Sequence, residues 1–147
     1  MGWNVKKFDE LTNLELYNLL KERTMVFVVE QNCPYLEVDG KDPFSYHLFK
    51  EDQGEIVAYL RILPAGVSYQ EASIGRVFVK KEYRGSGMAG ELLKRGLDFI
   101  ESELKETTVK IQAQDYLRKF YSSFGFQPIS DTYLEDNIPH VDMLLQR

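Results

Sequence analysis

The sequence predicts an α/β fold, a mixed central sheet flanked by helices, and three observations carry that expectation. Segments with a period of two, such as Ala72 to Val79, take turns along the chain with stripes at helical spacing, such as Ala89, Leu92, Leu93, Leu97, Ile100 and Leu104. The 147 residues suit one domain with a full hydrophobic core, taken here as 1–147. No repeat, low-complexity tract or linker-like shift in composition divides them.

The elements follow in order. Trp3 to Lys7 is short and alternating, and reads as an edge strand. Thr12 and Glu15 form a capping box, and Leu16, Leu19, Leu20 and Phe27 continue at helical spacing, which predicts a helix from about Asn13 to Met25. Residues 30–46 hold two prolines, a glycine and three aromatics, a mixture that breaks regular structure yet is too apolar for a linker, so a binding loop is expected. His47 to Lys50 and Glu55 to Leu63 flank a polar turn as a hairpin, and Pro64 ends its second strand. After Ala72 to Val79 comes the helix of the stripe above. Val109 to Ala113 is a further strand, and Asp115 is a candidate N-cap for a helix over Leu117, Phe120, Tyr121 and Phe124 that Gly125 ends at C′. Two last strands, about Phe126 to Ser130 and Val141 to Gln146, complete the order β-α-loop-βββ-α-β-α-ββ.

Composition excludes several classes. A net charge of −5 argues against a general nucleic-acid coat, which needs a basic face to displace phosphate counterions. The longest apolar run, Met25 to Val29, is far short of the roughly 20 residues that span a bilayer. The start at Met1 carries no apolar leader, and Lys6 stands where a myristoylation pattern wants Ser or Thr, so a cytoplasmic protein without a membrane partner is expected. One Cys forms no disulfide within the chain; Cys33 reads as a small buried residue, and the two His lie too far from it for a metal site.

The chemistry concentrates at two places. Gly85-Ser86-Gly87-Met88-Ala89-Gly90 matches G-x-G-x-x-G, but five polar residues separate it from Val79, and too little chain follows for a dinucleotide fold. A Walker loop fails as well, since no Lys-Ser/Thr follows. What survives is glycine backbone at a helix N-terminus beside Lys80, Lys81 and Arg84, an arrangement suited to a pyrophosphate. The plain alternative is a glycine turn entering a helix, with Gly90 and Gly96 admitting close packing on the sheet. The second place is Tyr121-Ser-Ser-Phe-Gly125-Phe126, a tyrosine one turn before a helix-ending glycine.

Together with Arg84-x-x-Gly87-x-Ala89 after the strand Ile74 to Val79, this constellation resembles the GNAT acyltransferase superfamily over nearly the whole chain. Val26-Phe-Val-Val-Glu-Gln-Asn-Cys-Pro-Tyr35 with Asp39-Gly40, and Glu135-Asp-Asn-Ile-Pro-His140, resemble its ElaA-like branch. The resemblance implies a GNAT-like acyl-CoA N-acyltransferase fold, acetyl-CoA as co-substrate without a metal, and transfer of the acetyl group to the amine of a small molecule or peptide; it admits a homodimer. It implies that Val77, Phe78 and Val79 offer backbone groups to the thioester and pantetheine. It further implies that Arg84, Gly85, Ser86, Gly87, Met88 and Ala89 bind the pyrophosphate, and that Tyr121 assists the leaving sulfur. Gln114 stands where the superfamily commonly has Asn at the pantetheine arm.

Some assignments stay open at this level. Tyr121 is either the acid or an amphipathic aromatic packed beside Phe120. The strand before the glycine segment lacks the carboxylate many relatives use as base, which leaves Glu30 and His140 as candidates, while His47 reads as a loop anchor. The acidic 30–42 loop with Glu135 and Asp136 suits a cationic amine; Arg61 and Arg76 either clamp an acceptor carboxylate or cap carboxylates of the protein itself. Two other functions compete. One is transfer of longer acyl chains, as in homoserine-lactone synthases whose helix end Arg23-Thr-Met-Val-Phe27 resembles; the other is a CoA-binding module without turnover.

Overall fold

The computed structural model describes residues 2–147; Met1, where the reading of the chain's start begins, lies outside the described residues. β1 (Gly2–Lys7), β2 (Tyr46–Asp52), β3 (Glu55–Leu63) and β4 (Ser73–Val79) form one four-stranded antiparallel sheet in that order. β5 (Thr108–Gln114), β8 (Ile138–Gln146) and β6 (Gln127–Pro128) form a second, with β7 (Tyr133–Glu135) also paired to β8. The sheets meet through a parallel bridge, Ala72 to Val109, where the Lys110 amide donates to the Ala72 carbonyl at 2.9 Å. The mixed sheet expected from sequence is therefore two antiparallel sheets joined at one point. Ala72 belongs to that joint rather than to β4.

α1 (Asn13–Thr24) begins at the capping box: the Glu15 amide donates to Thr12 Oγ1 at 3.0 Å, and the Thr12 amide donates to Glu15 Oε1 at 2.9 Å. The helix does not end at Met25 but continues as a π-helical segment, Met25–Glu30. α1 packs Leu19 with Phe49, Ile56, Tyr59 and Phe78 on one face of the first sheet, while α2 (Met88–Ser102) packs Leu92, Leu93, Leu97 and Ile100 against Leu48, Leu60, Ile62 and Ile74 on the other. Burial of both faces explains why β3 reads as an almost unbroken apolar run. Gly96 makes the α2 contact possible, since a Cβ there would lie 3.0 Å from Leu60 Cδ2. Gly90, given the same role above, faces Phe124 at an ordinary 3.9 Å instead.

The C-terminal third departs most from expectation. Asp115 is not an N-cap: Asp115–Leu117 is a 3-10 turn before α3 (Arg118–Ser122), and the Asp115 carboxylate accepts from Arg118 and Thr132. Gly125 does end that helix, with φ +101° and a Schellman pattern in which the Phe126 amide donates to the Tyr121 carbonyl and the Gly125 amide to Ser122. β6 is shorter than the Phe126 to Ser130 strand expected. β7 went unread because Pro139 discourages a strand and the Asp136-Asn137 pair hides a hairpin turn, both residues having positive φ.

Candidate active site

Beyond the Ala72–Val109 bridge the two sheets separate, and the wedge between β4 and β5 opens into a cleft of about 840 Å³. On β4 the register slips by one residue between the pairs Tyr59–Phe78 and Arg61–Gly75, so that Arg76 and Val77 bulge out opposite Leu60, with Arg76 at φ +50°. The Lys80 amide donates to the Val57 carbonyl at 2.8 Å. Antiparallel alternation then gives the Phe78 polar groups to Tyr59 and turns the Val79 amide and carbonyl toward the wedge. Val77, Phe78 and Val79 all line the cleft.

At the mouth, α2 begins at Gly87, whose φ of +83° only glycine adopts without strain; no atom lies within 4 Å of where its Cβ would stand. The first backbone hydrogen bond of α2 runs from the Glu91 amide to the Gly87 carbonyl, leaving the amides of Met88, Ala89 and Gly90 without helical partners. Gly85 and Ser86 shape the turn before it, the Ser86 hydroxyl donating to the Tyr83 carbonyl at 2.9 Å. Of the basic residues read beside this turn, only Arg84 reaches the cleft. Lys80 is drawn off by Glu55 and Glu22, at 2.9 and 3.5 Å.

Another wall is the 31–45 segment, and buried and half-buried side chains hold it. Arg23, fully buried at the end of α1, donates from Nε to Glu37 Oε1 at 2.9 Å and from Nη1 to Asp42 Oδ1 at 2.7 Å. Arg61 forks onto both Asp39 oxygens at 2.9 and 2.8 Å, and reaches Asp42 at 3.1 Å. Arg76 donates to Glu37 Oε1 at 2.7 Å and lies over the Tyr35 ring. Burial alone would raise the Asp39 and Asp42 carboxyls, but their arginine partners outweigh it and hold both below the ordinary 3.8. His47 completes the anchor: its Nε2 must donate to the Asp42 carbonyl at 3.0 Å, so Nδ1 accepts from the Tyr59 hydroxyl at 2.7 Å, and burial holds the ring below 6.5, neutral. Arg61 and Arg76 thus cap the protein's own carboxylates. Sequence reasoning missed Arg23 in this role, although an arginine on an apolar helix face and another in β3 both call for buried acids.

The remaining residues read from sequence converge on the cleft. Tyr121 is 6% exposed and lines the cleft, and its hydroxyl has no hydrogen-bond partner among the described residues; burial, then Tyr116 beside it, pushes the phenol well above 10. His140 stacks on Tyr133 and places Nδ1 2.7 Å from the Ile138 carbonyl. A carbonyl only accepts, so Nδ1 donates, and in the neutral form of the ring Nε2 keeps the lone pair. Gln114 donates to Gln31 at 3.3 Å, Glu30 pairs with Arg84 at 2.9 Å, and Cys33, buried, reaches the Asp136 carbonyl at 3.4 Å. Among the described residues no group of His, Cys, Asp and Glu side chains is placed to hold a metal, and no helix is long and apolar enough to cross a membrane.

Comparisons with known proteins agree with this geometry. The family model described as an acetyltransferase (GNAT) domain matches residues 17–147. Protein ElaA of Escherichia coli K12 is 39% identical over 143 residues, spanning 96% of this chain and 94% of the relative. The crystal structure of an acyl-CoA N-acyltransferase from Pseudomonas aeruginosa superposes with a TM-score of 0.94 at 40% identity, over 99% of both chains. That of E. coli ElaA gives 0.93 at 38%, over 99% of this chain and 100% of the other. A glycine-led helix start, a β4 edge turned toward a wedge and these likenesses together establish that the chain belongs to the GNAT family of acyltransferases, as a relative of ElaA.

Proposed function

We propose that the chain moves an acetyl group from acetyl-CoA directly to a primary amine of a small molecule or peptide, both substrates being bound at once. The observation that carries this reading is the wedge: around one cavity it offers the β4 edge at Val79, the start of α2 through Arg84 and Ala89, and an imidazole lone pair at His140. The β4 edge suits the amide-rich pantetheine arm, and a backbone amide there stabilises the oxyanion that forms when an amine attacks the thioester. The α2 N-terminus suits the pyrophosphate.

Between the two candidate bases the geometry favours His140. Its tautomer leaves an Nε2 lone pair to take a proton from the attacking ammonium, whereas the Glu30 carboxylate stands beside Arg84, next to the turn that suits the pyrophosphate. Tyr121 sits in the role of partner to the leaving sulfur. A thiol titrates near 8.5. A phenol pushed above 10 therefore keeps its proton and acts by hydrogen bonding rather than by full transfer. Because Arg61 and Arg76 are occupied by Asp39, Asp42 and Glu37, while Glu135 and Asp136 make no ion pair among the described residues, a cationic acceptor suits the cleft better than a carboxylate.

Free-thiol release from acetyl-CoA, followed across pH with an accepted amine, tests the assignment. His140→Gln should lower the rate by about a hundredfold and remove the acid-side limb of the profile while acetyl-CoA still raises the melting temperature. An unchanged profile would refute His140 as base.

A further inference from the structure

We infer that Glu30 and the cofactor's pyrophosphate compete for Arg84, so that binding of acyl-CoA releases a carboxylate into the cleft. The inference rests on the CoA-dependent reading above. Glu30 closes the π-helical segment and lines the cleft; Arg84 precedes Gly85 and Gly87 at its mouth. Arg84 Nε donates to the Val79 carbonyl at 2.7 Å, a group on the unpaired side of β4, and this bond pins the guanidinium beside the α2 N-terminus. From there Nη2 reaches Glu30 Oε2 at 2.9 Å. The side chains are 43% and 28% exposed. An ion pair in water of this kind is held weakly. Phosphate oxygens offer the same fork more charge and a second bond. Exchange therefore needs no large movement, only a change of anion on a guanidinium already in position.

The consequence lies on the far wall. Arg61 and Arg76 are committed to Asp39, Asp42 and Glu37, and Lys41 is the other cation lining the cleft. Glu30, once free, joins Glu135 and Asp136, and the site gains a third unpaired carboxylate for an ammonium group once the cofactor has arrived.

Titration calorimetry with acetyl-CoA on the full chain tests the competition. Glu30→Gln should tighten acetyl-CoA about three- to tenfold, Arg84→Gln should weaken it, and Glu30→Gln should have no effect in the Arg84→Gln background. Glu30→Ala should repeat the gain, and thermal melts report that each variant is folded. Unchanged or weakened affinity in folded Glu30→Gln and Glu30→Ala overturns the inference while the CoA-dependent reading stands. A wild-type chain that does not bind acetyl-CoA overturns both.

Discussion

The turn that leads into α2 and the 31–45 segment both border the cleft, yet they are held in place by opposite means. Gly85, Ser86 and Gly87 lie exposed, fixed by their own backbone and by one serine hydroxyl. The 31–45 segment is fixed from behind by Arg23, Arg61 and Arg76 on Glu37, Asp39 and Asp42, with Arg23 fully buried and Glu37 and Asp42 nearly so. A surface made of amides and a helix end recognises any pyrophosphate and depends little on neighbouring side chains. A wall held by interlocked buried charges keeps one shape and is costly to disturb, which suits the half that must select an acceptor.

Four substitutions sharpen or break that contrast. The largest effect is expected at Arg23→Ala, which takes from buried Glu37 and Asp42 one of the two arginines that each pairs with. A loss of about 3–5 kcal/mol is expected in denaturant unfolding. Early hydrogen exchange across residues 31–45 should accompany it. A loss under 1 kcal/mol would mean that the wall is not held by charge. Gly87→Asp should erase the thermal shift produced by acetyl-CoA, because it strains a φ of +83° and puts a carboxylate at the proposed pyrophosphate site, while denaturant unfolding changes by far less than in Arg23→Ala. Retained binding would move the pyrophosphate elsewhere. Tyr121→Phe should lower kcat by roughly ten- to a hundredfold with acetyl-CoA affinity nearly unchanged, as loss of a hydrogen bond to sulfur requires. Equal loss of affinity would instead assign the ring to packing.

The smallest effect concerns acid. The folded state holds His47 below 6.5 and Asp39 and Asp42 below 3.8, so the unfolded chain takes up protons first as pH falls. Stability should therefore be complete above pH 6.5, decline at no more than about 1.4 kcal/mol per pH unit through the histidine limb, and steepen below 3.8. His47→Gln should flatten the first limb and keep the second. A profile level from pH 7 to 4 would contradict a neutral buried His47.

The same contrast explains what was legible in the chain. Backbone devices leave local marks: Thr12 and Glu15 announce α1, Gly87 announces α2, and Gly125 with Phe126 closes α3 within a few residues. The ion network leaves none, since Arg23 and Glu37 are 14 residues apart in sequence and Arg76 and Glu37 are 39, and their pairing exists only once the sheet has formed. The π-helical segment is hidden for a related reason. Met25 to Val29 reads as the end of α1 by periodicity, and only packing of Val26 and Phe27 beside Phe78 makes the wider turn worthwhile. At β7 the Pro139 signal misleads because that residue opens β8 near the sheet's end, opposite Leu134.

The proposed function rests on one cleft that joins a backbone-built cofactor half to an acceptor half whose arginines are already paired. Its most direct test is free-thiol release from acetyl-CoA over two matched sets of primary amines, one carrying a second cationic group and the other a carboxylate, with an enzyme-free control. Turnover above the control should be concentrated in the cationic set and lost in Gly87→Asp. Turnover confined to the carboxylate set would contradict it, and so would thiol release that Gly87→Asp leaves intact.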